Sequence, residues 1–148
     1  MEYRKQDYLI STDKAKLDIS VIHNFLKGTY WAKNVPMEIV KRSIENSICF
    51  GVYYQDNQIG FTRVVTDYST CAYIADVFIL NEFRGKGLSK WLMEVIMNYP
   101  ELQNLKRWML GTKDAHGLYA RFGFTSPQHP DWLMENTDLD IYIDKSKN

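Results

Sequence analysis

The spacing of apolar residues changes along the chain and predicts helices first and strands afterwards. A short apolar run at 8–11 predicts a strand, and apolar residues then recur every three or four positions over 18–28 and 36–46, which predicts two amphipathic helices. Three mostly apolar runs separated by polar turns follow, the pattern of an antiparallel meander. These runs are 48–54, 58–65 and 71–80. The third is almost uniformly apolar, which is typical of a central strand covered on both faces.

The second half of the chain predicts helices and strands in alternation. Pro100 stops one helix and Gly123 follows another, and we expect extended structure to resume at Phe124. In chain order the predicted elements are a helix at 88–99, a strand at 107–112, a helix at 115–122 and a last strand at 139–143. The sequence therefore predicts a mixed α/β (α+β) fold.

Size and charge restrict the classes of function. The chain of 148 residues has the usual size of one domain, 1–148, and 18 Lys and Arg balance 18 Asp and Glu. This balance argues against binding to nucleic acid or to an anionic membrane. The N-terminus lacks a signal-peptide core and no window approaches the roughly 18 apolar residues of a membrane span, so we expect a cytoplasmic protein. Cys49 and Cys71 lie in apolar runs and are expected to be buried, reduced thiols.

A glycine-containing loop joins the third apolar run to the following helix. Arg84, Gly85, Lys86, Gly87, Leu88 and Ser89 form this joint. A helix N-terminus has unpaired N–H groups and the positive end of the helix dipole, and glycines let a phosphate approach them closely. The alternative is a tight turn that needs glycine for its geometry alone. The spacing matches neither a Walker loop nor the dinucleotide fingerprint.

Two motifs in this order resemble the GNAT family of acetyl-CoA-dependent N-acetyltransferases. The first is Arg84-x-x-Gly87-x-Ser89, with Ser89 where the family has glycine or alanine. The second is Ala115-x-x-Leu118-Tyr119-x-x-Phe122-Gly123-Phe124. The resemblance implies a central, mixed, mostly antiparallel sheet flanked by about four helices. It also implies two splayed parallel strands, at 70–80 and 107–112, that form the acetyl-CoA cleft.

The resemblance assigns residues to acetyl-CoA and implies no metal. Backbone groups from Arg84 to Ser89 would hold the pyrophosphate. The backbone of Val77, Phe78 and Ile79 would run beside the pantetheine arm. Thr112 stands where many members carry an asparagine that bonds this arm.

The chemistry requires a proton donor for the thiolate and a base for the amine. Tyr119 matches the family's general-acid tyrosine, the alternative being an ordinary core tyrosine. Asp76, in an apolar strand, is a candidate base, unless it pairs structurally with Arg63 or Arg107. His116 is the other candidate, three positions before Tyr119, with a capping or surface role as its alternative.

The family builds its acceptor pocket from the first two helices and the later loops. Here these segments offer Tyr30, Trp31, Glu38, Arg63, Trp132 and Glu135. The predicted function is transfer of an acetyl group from acetyl-CoA to a primary amine, on a small molecule or a peptide, by direct attack in a ternary complex. The alternative is a regulatory module of the same fold that binds acyl-CoA without catalysis, and Tyr119 favours the enzyme. Family members are often dimers, so a homodimer is possible.

Overall fold

The computed structural model describes residues 1–143, which form a six-stranded sheet with helices on both faces. The strands are β1 (Glu2–Lys5), β2 (Tyr8–Ser11), β3 (Ile48–Tyr54), β4 (Asn57–Thr66), β5 (Cys71–Ile79) and β6 (Arg107–Leu110). The α-helices are α1 (Ile19–Leu26), α2 (Met37–Glu45), α3 (Leu88–Met97) and α4 (His116–Ala120). Short 3₁₀ turns occupy Lys14–Lys16, Asn81–Phe83, Pro100–Leu102 and Pro130–Trp132. None of the helices within 1–143 is long and apolar enough to cross a bilayer.

The strands lie in the sheet in chain order, and only the last pair is parallel. β1 to β5 form antiparallel neighbours, and β6 runs parallel to β5. A parallel neighbour requires a crossover connection, which the α3 segment supplies. The mixed, mostly antiparallel sheet and four α-helices confirm the predicted fold class.

Each face of the sheet carries its own apolar cluster. On one face α3 packs the fully buried Leu92 and Ile96 against the strands. On the other face, here called the α1–α2 face, Ile22 of α1 belongs to a cluster with Phe61 of β4 and Phe78 of β5. Because consecutive strand residues point to opposite faces, β4 and β5 contribute to both clusters.

The two ends of the chain differ from the prediction. The polar strand β1 was not expected, and it exists because its backbone pairs with β2. The predicted strand at 139–143 is wrong, since Ile143 N donates to Asp140 O in a turn at 3.0 Å. No strand forms from Phe124 onward within 124–143, and Phe124 N instead donates to Tyr119 O at 3.3 Å and closes α4. An apolar alternation becomes a strand only where a sheet edge accepts its hydrogen bonds.

Coverage of β5 also differs from the prediction. Helices α1 and α2 cover its end at Phe78, but Tyr73 in its first half is 43% exposed. Both cysteines are free thiols, as expected, but only Cys49 is buried and Cys71 is half-buried. Burial raises the pKa of the Cys49 thiol to about 11, which keeps it protonated and unreactive.

Gly60 of β4 lies where a side chain has no room. A β-carbon there would come within 2.9 Å of Phe78 O and 3.1 Å of Val52 Cβ. Gly60→Ala should therefore lower the free energy of unfolding by about 1–3 kcal/mol. Gly117→Ala is the matched control, because open space surrounds Gly117 and alanine suits the interior of a helix. Denaturant unfolding measures both variants, and equal stabilities would contradict the packing described.

Candidate active site

The parallel strands β5 and β6 stop pairing before β5 ends, and the space beyond the last pair is here called the V or the opening. Their pairing runs from Cys71 with Arg107 to Ile74 with Leu110, where β6 ends. β5 continues to Ile79 with β4 as its strand partner. One edge of its backbone beyond Ile74 therefore has no neighbouring strand among residues 1–143 and is available to a ligand.

A bulge in β5 lies beside this opening. The register passes from Arg63 opposite Ala75 to Phe61 opposite Phe78, so β5 contains one more residue than β4. Asp76, inside the bulge, has a φ of +58°, a left-handed conformation that aspartate tolerates better than most residues. Bulges bend the strand and re-aim side chains. The Asp76 carboxylate is thereby directed to Arg63 on the α1–α2 face.

The loop between β5 and α3 forms an open cradle. Gly85 and Gly87 have φ values of +80° and +79°, and a β-carbon on either would meet nothing within 4 Å. Gly87 is the N-cap of α3 and has no side-chain cap, so the first-turn N–H groups of Leu88, Ser89 and Lys90 have no acceptor among residues 1–143. Together with the helix dipole, these donors fit a phosphate group.

The cradle is fixed to the end of β5 through Arg84. Its Nε donates to Ile79 O at 2.9 Å. Arg84 and Lys86 are both exposed, so they place positive charge beside the α3 N-terminus in a chain with no net charge. The attraction for an anion is therefore local.

Tyr119 of α4 is buried, with 7% of its surface exposed, and its ring packs edge-on to Phe124 at 6.2 Å. Burial raises the pKa of the Tyr119 phenol, with smaller contributions from Tyr30 and Asp114. The phenol therefore stays protonated throughout the neutral range and can donate a proton.

The loop between α1 and α2 bridges the two arms of the opening. The Tyr30 hydroxyl accepts from the backbone N of Lys113, just beyond β6, at 3.1 Å. Trp31 Nε1 donates to Asp76 Oδ1 on β5 at 2.9 Å. The two rings contact each other edge-on at 5.1 Å. Neighbouring aromatic residues thus link the loop between α1 and α2 to β5 and to the segment after β6.

An ion pair supports the β5 side of this bridge. Arg63 Nε donates to Asp76 Oδ2 at 2.5 Å, and Arg63 Nη1 donates to Ser47 Oγ at 3.3 Å. The Asp76 and Arg63 side chains are only 10% and 21% exposed. Both Asp76 oxygens therefore accept hydrogen bonds, one from Arg63 and one from Trp31.

Other residues singled out from the sequence lie at less constrained places. His116 is exposed at the start of α4, and Thr112 Oγ1 accepts from Ala115 N at 3.0 Å. Trp132 stacks on His129 at 3.7 Å and has no hydrogen bond or aromatic contact with Tyr30, Trp31 or Asp76. Glu38 and Glu135 are exposed. Within 1–143 no group of three or more His, Cys, Asp or Glu residues is placed to hold a metal.

Sequence reasoning missed two members of the site. Ser47 has no motif, and only the pairing of β3 with β4 brings it near Arg63. Lys113 contributes through its backbone N–H, which no side-chain pattern reveals.

Comparison with known proteins identifies the family to which the chain belongs. The model of the acetyltransferase (GNAT) family matches residues 19–124. A crystal structure from Xanthomonas campestris, assigned to the GNAT acetyltransferases, is 48% identical with a TM-score of 0.91, covering 93% of this chain and 97% of its own. A Gibberella zeae protein named as an acetyltransferase is 29% identical over 143 residues, covering 80% of this chain and 79% of its own.

A further similar structure contains a ligand. A structure from Clostridium acetobutylicum, described with acetyl-CoA, has a TM-score of 0.63 and covers 92% of this chain and 96% of its own. At 15% identity it shows the fold alone. The family match and the Xanthomonas likeness together establish that the chain belongs to the GNAT family of acetyltransferases.

The Arg63–Asp76 pair should stabilise the site measurably. Asp76→Asn keeps the size and the tolerance of a left-handed φ but leaves Arg63 partly buried without its counter-ion. A double-mutant cycle with Arg63→Met should give a coupling free energy above about 1 kcal/mol in denaturant unfolding.

The exposed pair Arg4–Glu2 is the matched control, because its side chains are 71% and 40% exposed. Its coupling should lie within about 0.5 kcal/mol of zero. Equal coupling in the two cycles would contradict a structural role for the Arg63–Asp76 pair.

Proposed function

We propose that this protein transfers the acetyl group of acetyl-CoA to a primary amine by direct attack in a ternary complex. The observation that carries the proposal is the opening between β5 and β6. It has the phosphate-binding cradle of α3 at the end of β5 and the buried Tyr119 beyond β6. Acetyl-CoA supplies an activated acyl group and a thiolate leaving group.

The residues present fit acetyl-CoA at both ends of the opening. Backbone N–H groups at the start of α3, with Arg84 and Lys86, hold the pyrophosphate. The backbone of Val77, Phe78 and Ile79 lies along the pantetheine arm on the edge that β6 leaves free. Thr112 follows the other arm of the V. The likeness in fold to a relative described with acetyl-CoA supports acetyl-CoA as the ligand of this opening.

Tyr119 acts as the general acid. The amine nitrogen forms its bond to the thioester carbon, the carbon–sulfur bond breaks, and the phenol hydroxyl gives its proton to the departing sulfur. Since burial raises the pKa of Tyr119, the donor form is present at every neutral pH. A regulatory module that only binds acyl-CoA would have no use for this proton donor, so the enzyme is favoured.

His116 removes the proton of the amine, and Asp76 orients the amine beforehand. His116 lies one turn before Tyr119, and its exposed imidazole has no hydrogen bond to any of residues 1–143. Asp76, by contrast, has both oxygens engaged by Arg63 and Trp31. These two donors hold its carboxylate in place, where it can attract the cationic amine at the mouth of the V.

Two variants should separate binding from chemistry. Gly87→Glu places a carboxylate against the α3 N-terminus and should raise the Kd for acetyl-CoA at least about tenfold in calorimetric titration. Tyr119→Phe should leave that Kd unchanged and lower kcat about 100-fold in a thiol-release assay.

Gly87→Asn is the control for backbone strain, because asparagine tolerates the left-handed φ without adding charge. NADH and ATP serve as control ligands for the wild-type protein. Absence of acetyl-CoA binding in the folded protein would overturn the proposed function, and an unchanged rate in Tyr119→Phe would remove only the general-acid role.

The pH dependence of kcat/KM distinguishes the two candidate bases. A base must lose its proton before it can accept one, so activity rises with pH through its pKa. We expect His116→Ala to lose or shift this acidic limb and Asp76→Asn to keep it with a raised KM. If only Asp76→Asn loses the acidic limb, then Asp76 is the base and His116 is not. If both variants keep the limb, a water molecule removes the proton of the amine.

A further inference from the structure

A row of exposed apolar side chains crosses the sheet on the α1–α2 face. Val65 of β4 pairs with Tyr73 of β5, and Tyr73 pairs with Met109 of β6. Paired residues in neighbouring strands share a face. Their exposed fractions are 43%, 43% and 38%. These three residues, here called the apolar row, form a continuous surface three strands wide.

The helices on this face stop short of the apolar row. The cluster under α1 and α2 contains Phe61 and Phe78 but none of the three row residues. Burial of apolar surface is the main favourable term in folding, so an uncovered apolar row in the middle of three paired strands suggests a ligand.

The apolar row ends at the mouth of the V. The next positions on the same face, two residues away in each case, are Arg63 in β4, Ala75 in β5 and Gly111 just after β6. Same-face neighbours in a strand are about 6.6–6.8 Å apart. The Tyr73 hydroxyl also lies 3.7 Å from where a β-carbon of Gly111 would be. If the body of a ligand lies on the apolar row, a group attached to that body through two or three carbons therefore reaches the opening.

The charges around the apolar row disfavour a polycation. Arg63 lies in the strand row on one side, and Arg107, paired with Cys71, lies in the strand row on the other. The acid at the mouth of the V, Asp76, is already paired with Arg63. One amine can be accepted there, but a second positive charge over the apolar row would meet arginines, since the Asp67 carboxylate in the turn after β4 already accepts from Ser69 N and Thr70 Oγ1.

We propose that the acceptor is a primary amine with an aromatic or alkyl body joined to the nitrogen through two or three carbons. Its body lies on Val65, Tyr73 and Met109, and its nitrogen enters the V beside Asp76. The assignment rests on the proposed acetyl transfer, since it names the acceptor of the same site. Polyamines are poor acceptors because they carry further positive charges, and amino sugars are poor acceptors because their bodies are polar.

The test compares three acceptors at saturating acetyl-CoA in the thiol-release assay. We expect kcat/KM for 2-phenylethylamine to exceed that for 1,4-diaminobutane and glucosamine at least about tenfold. Met109→Ala and Tyr73→Ala should each lower kcat/KM for 2-phenylethylamine about tenfold with unchanged acetyl-CoA affinity. Met134→Ala, at a position 98% exposed and outside the sheet, is the matched control and should change nothing.

A charge substitution gives a second test that loss of folding cannot imitate. Met109→Glu should lower kcat/KM for 2-phenylethylamine and raise it for 1,4-diaminobutane, because the new carboxylate receives the second ammonium. Met134→Glu should leave the ratio of the two unchanged.

The outcomes separate this inference from the proposed function. The acceptor class would be overturned if the protein acetylated 1,4-diaminobutane or glucosamine in preference to 2-phenylethylamine and if Met109→Glu did not change this preference. Acetyl transfer itself would still stand. Failure of acetyl-CoA to bind, or of every amine to react, would overturn both. Conversion of a wild-type dimer to a monomer by Tyr73→Asp in analytical ultracentrifugation would show that a second copy covers the row and would overturn the acceptor assignment.

Discussion

The early end of the pairing between β5 and β6 is the constraint on which the rest of the structure depends. Beyond Ile74 and Leu110 the strands have no common hydrogen bonds, and the bulge at Asp76 bends β5 in the same region. The free edge of β5 leads directly to the glycine loop before α3, and the chain beyond β6 leads to Tyr119. One local departure from regular pairing therefore leaves a free edge of β5 between the glycine loop and the segment after β6 that carries the buried Tyr119.

Beyond the last pair, no hydrogen bond between β5 and β6 fixes the positions of the two segments. Other contacts must therefore hold them in place. The loop after α1 supplies them, with Tyr30 bonded beyond β6 and Trp31 bonded to β5. Arg63 then holds the Asp76 carboxylate from β4. These contacts join segments far apart in the sequence, so they fix this side of the opening before any ligand arrives, and a preformed site loses less entropy on binding.

The two sides of the opening use different physical interactions. Toward α3, glycine backbone, N–H donors and the exposed Arg84 and Lys86 offer local positive potential in a chain with no net charge. Toward α1 and α2, the exposed apolar row offers contact area, with its neighbouring charges positive or already paired. Under the proposed function, a charged, flexible ligand and a compact, apolar one use different groups of the protein and do not compete.

The sequence by itself determined the features that depend on neighbouring residues. Helical and strand periods, the glycine loop at 84–89 and the position of Tyr119 follow from local dihedral preference and side-chain spacing. Only the tertiary structure decided the rest. It chose Arg63 over Arg107 as the partner of Asp76, because strand register is a property of two segments. It also left the alternating segment 139–143 as a turn, because a strand requires an edge to pair with, and an amino-acid pattern does not contain that edge.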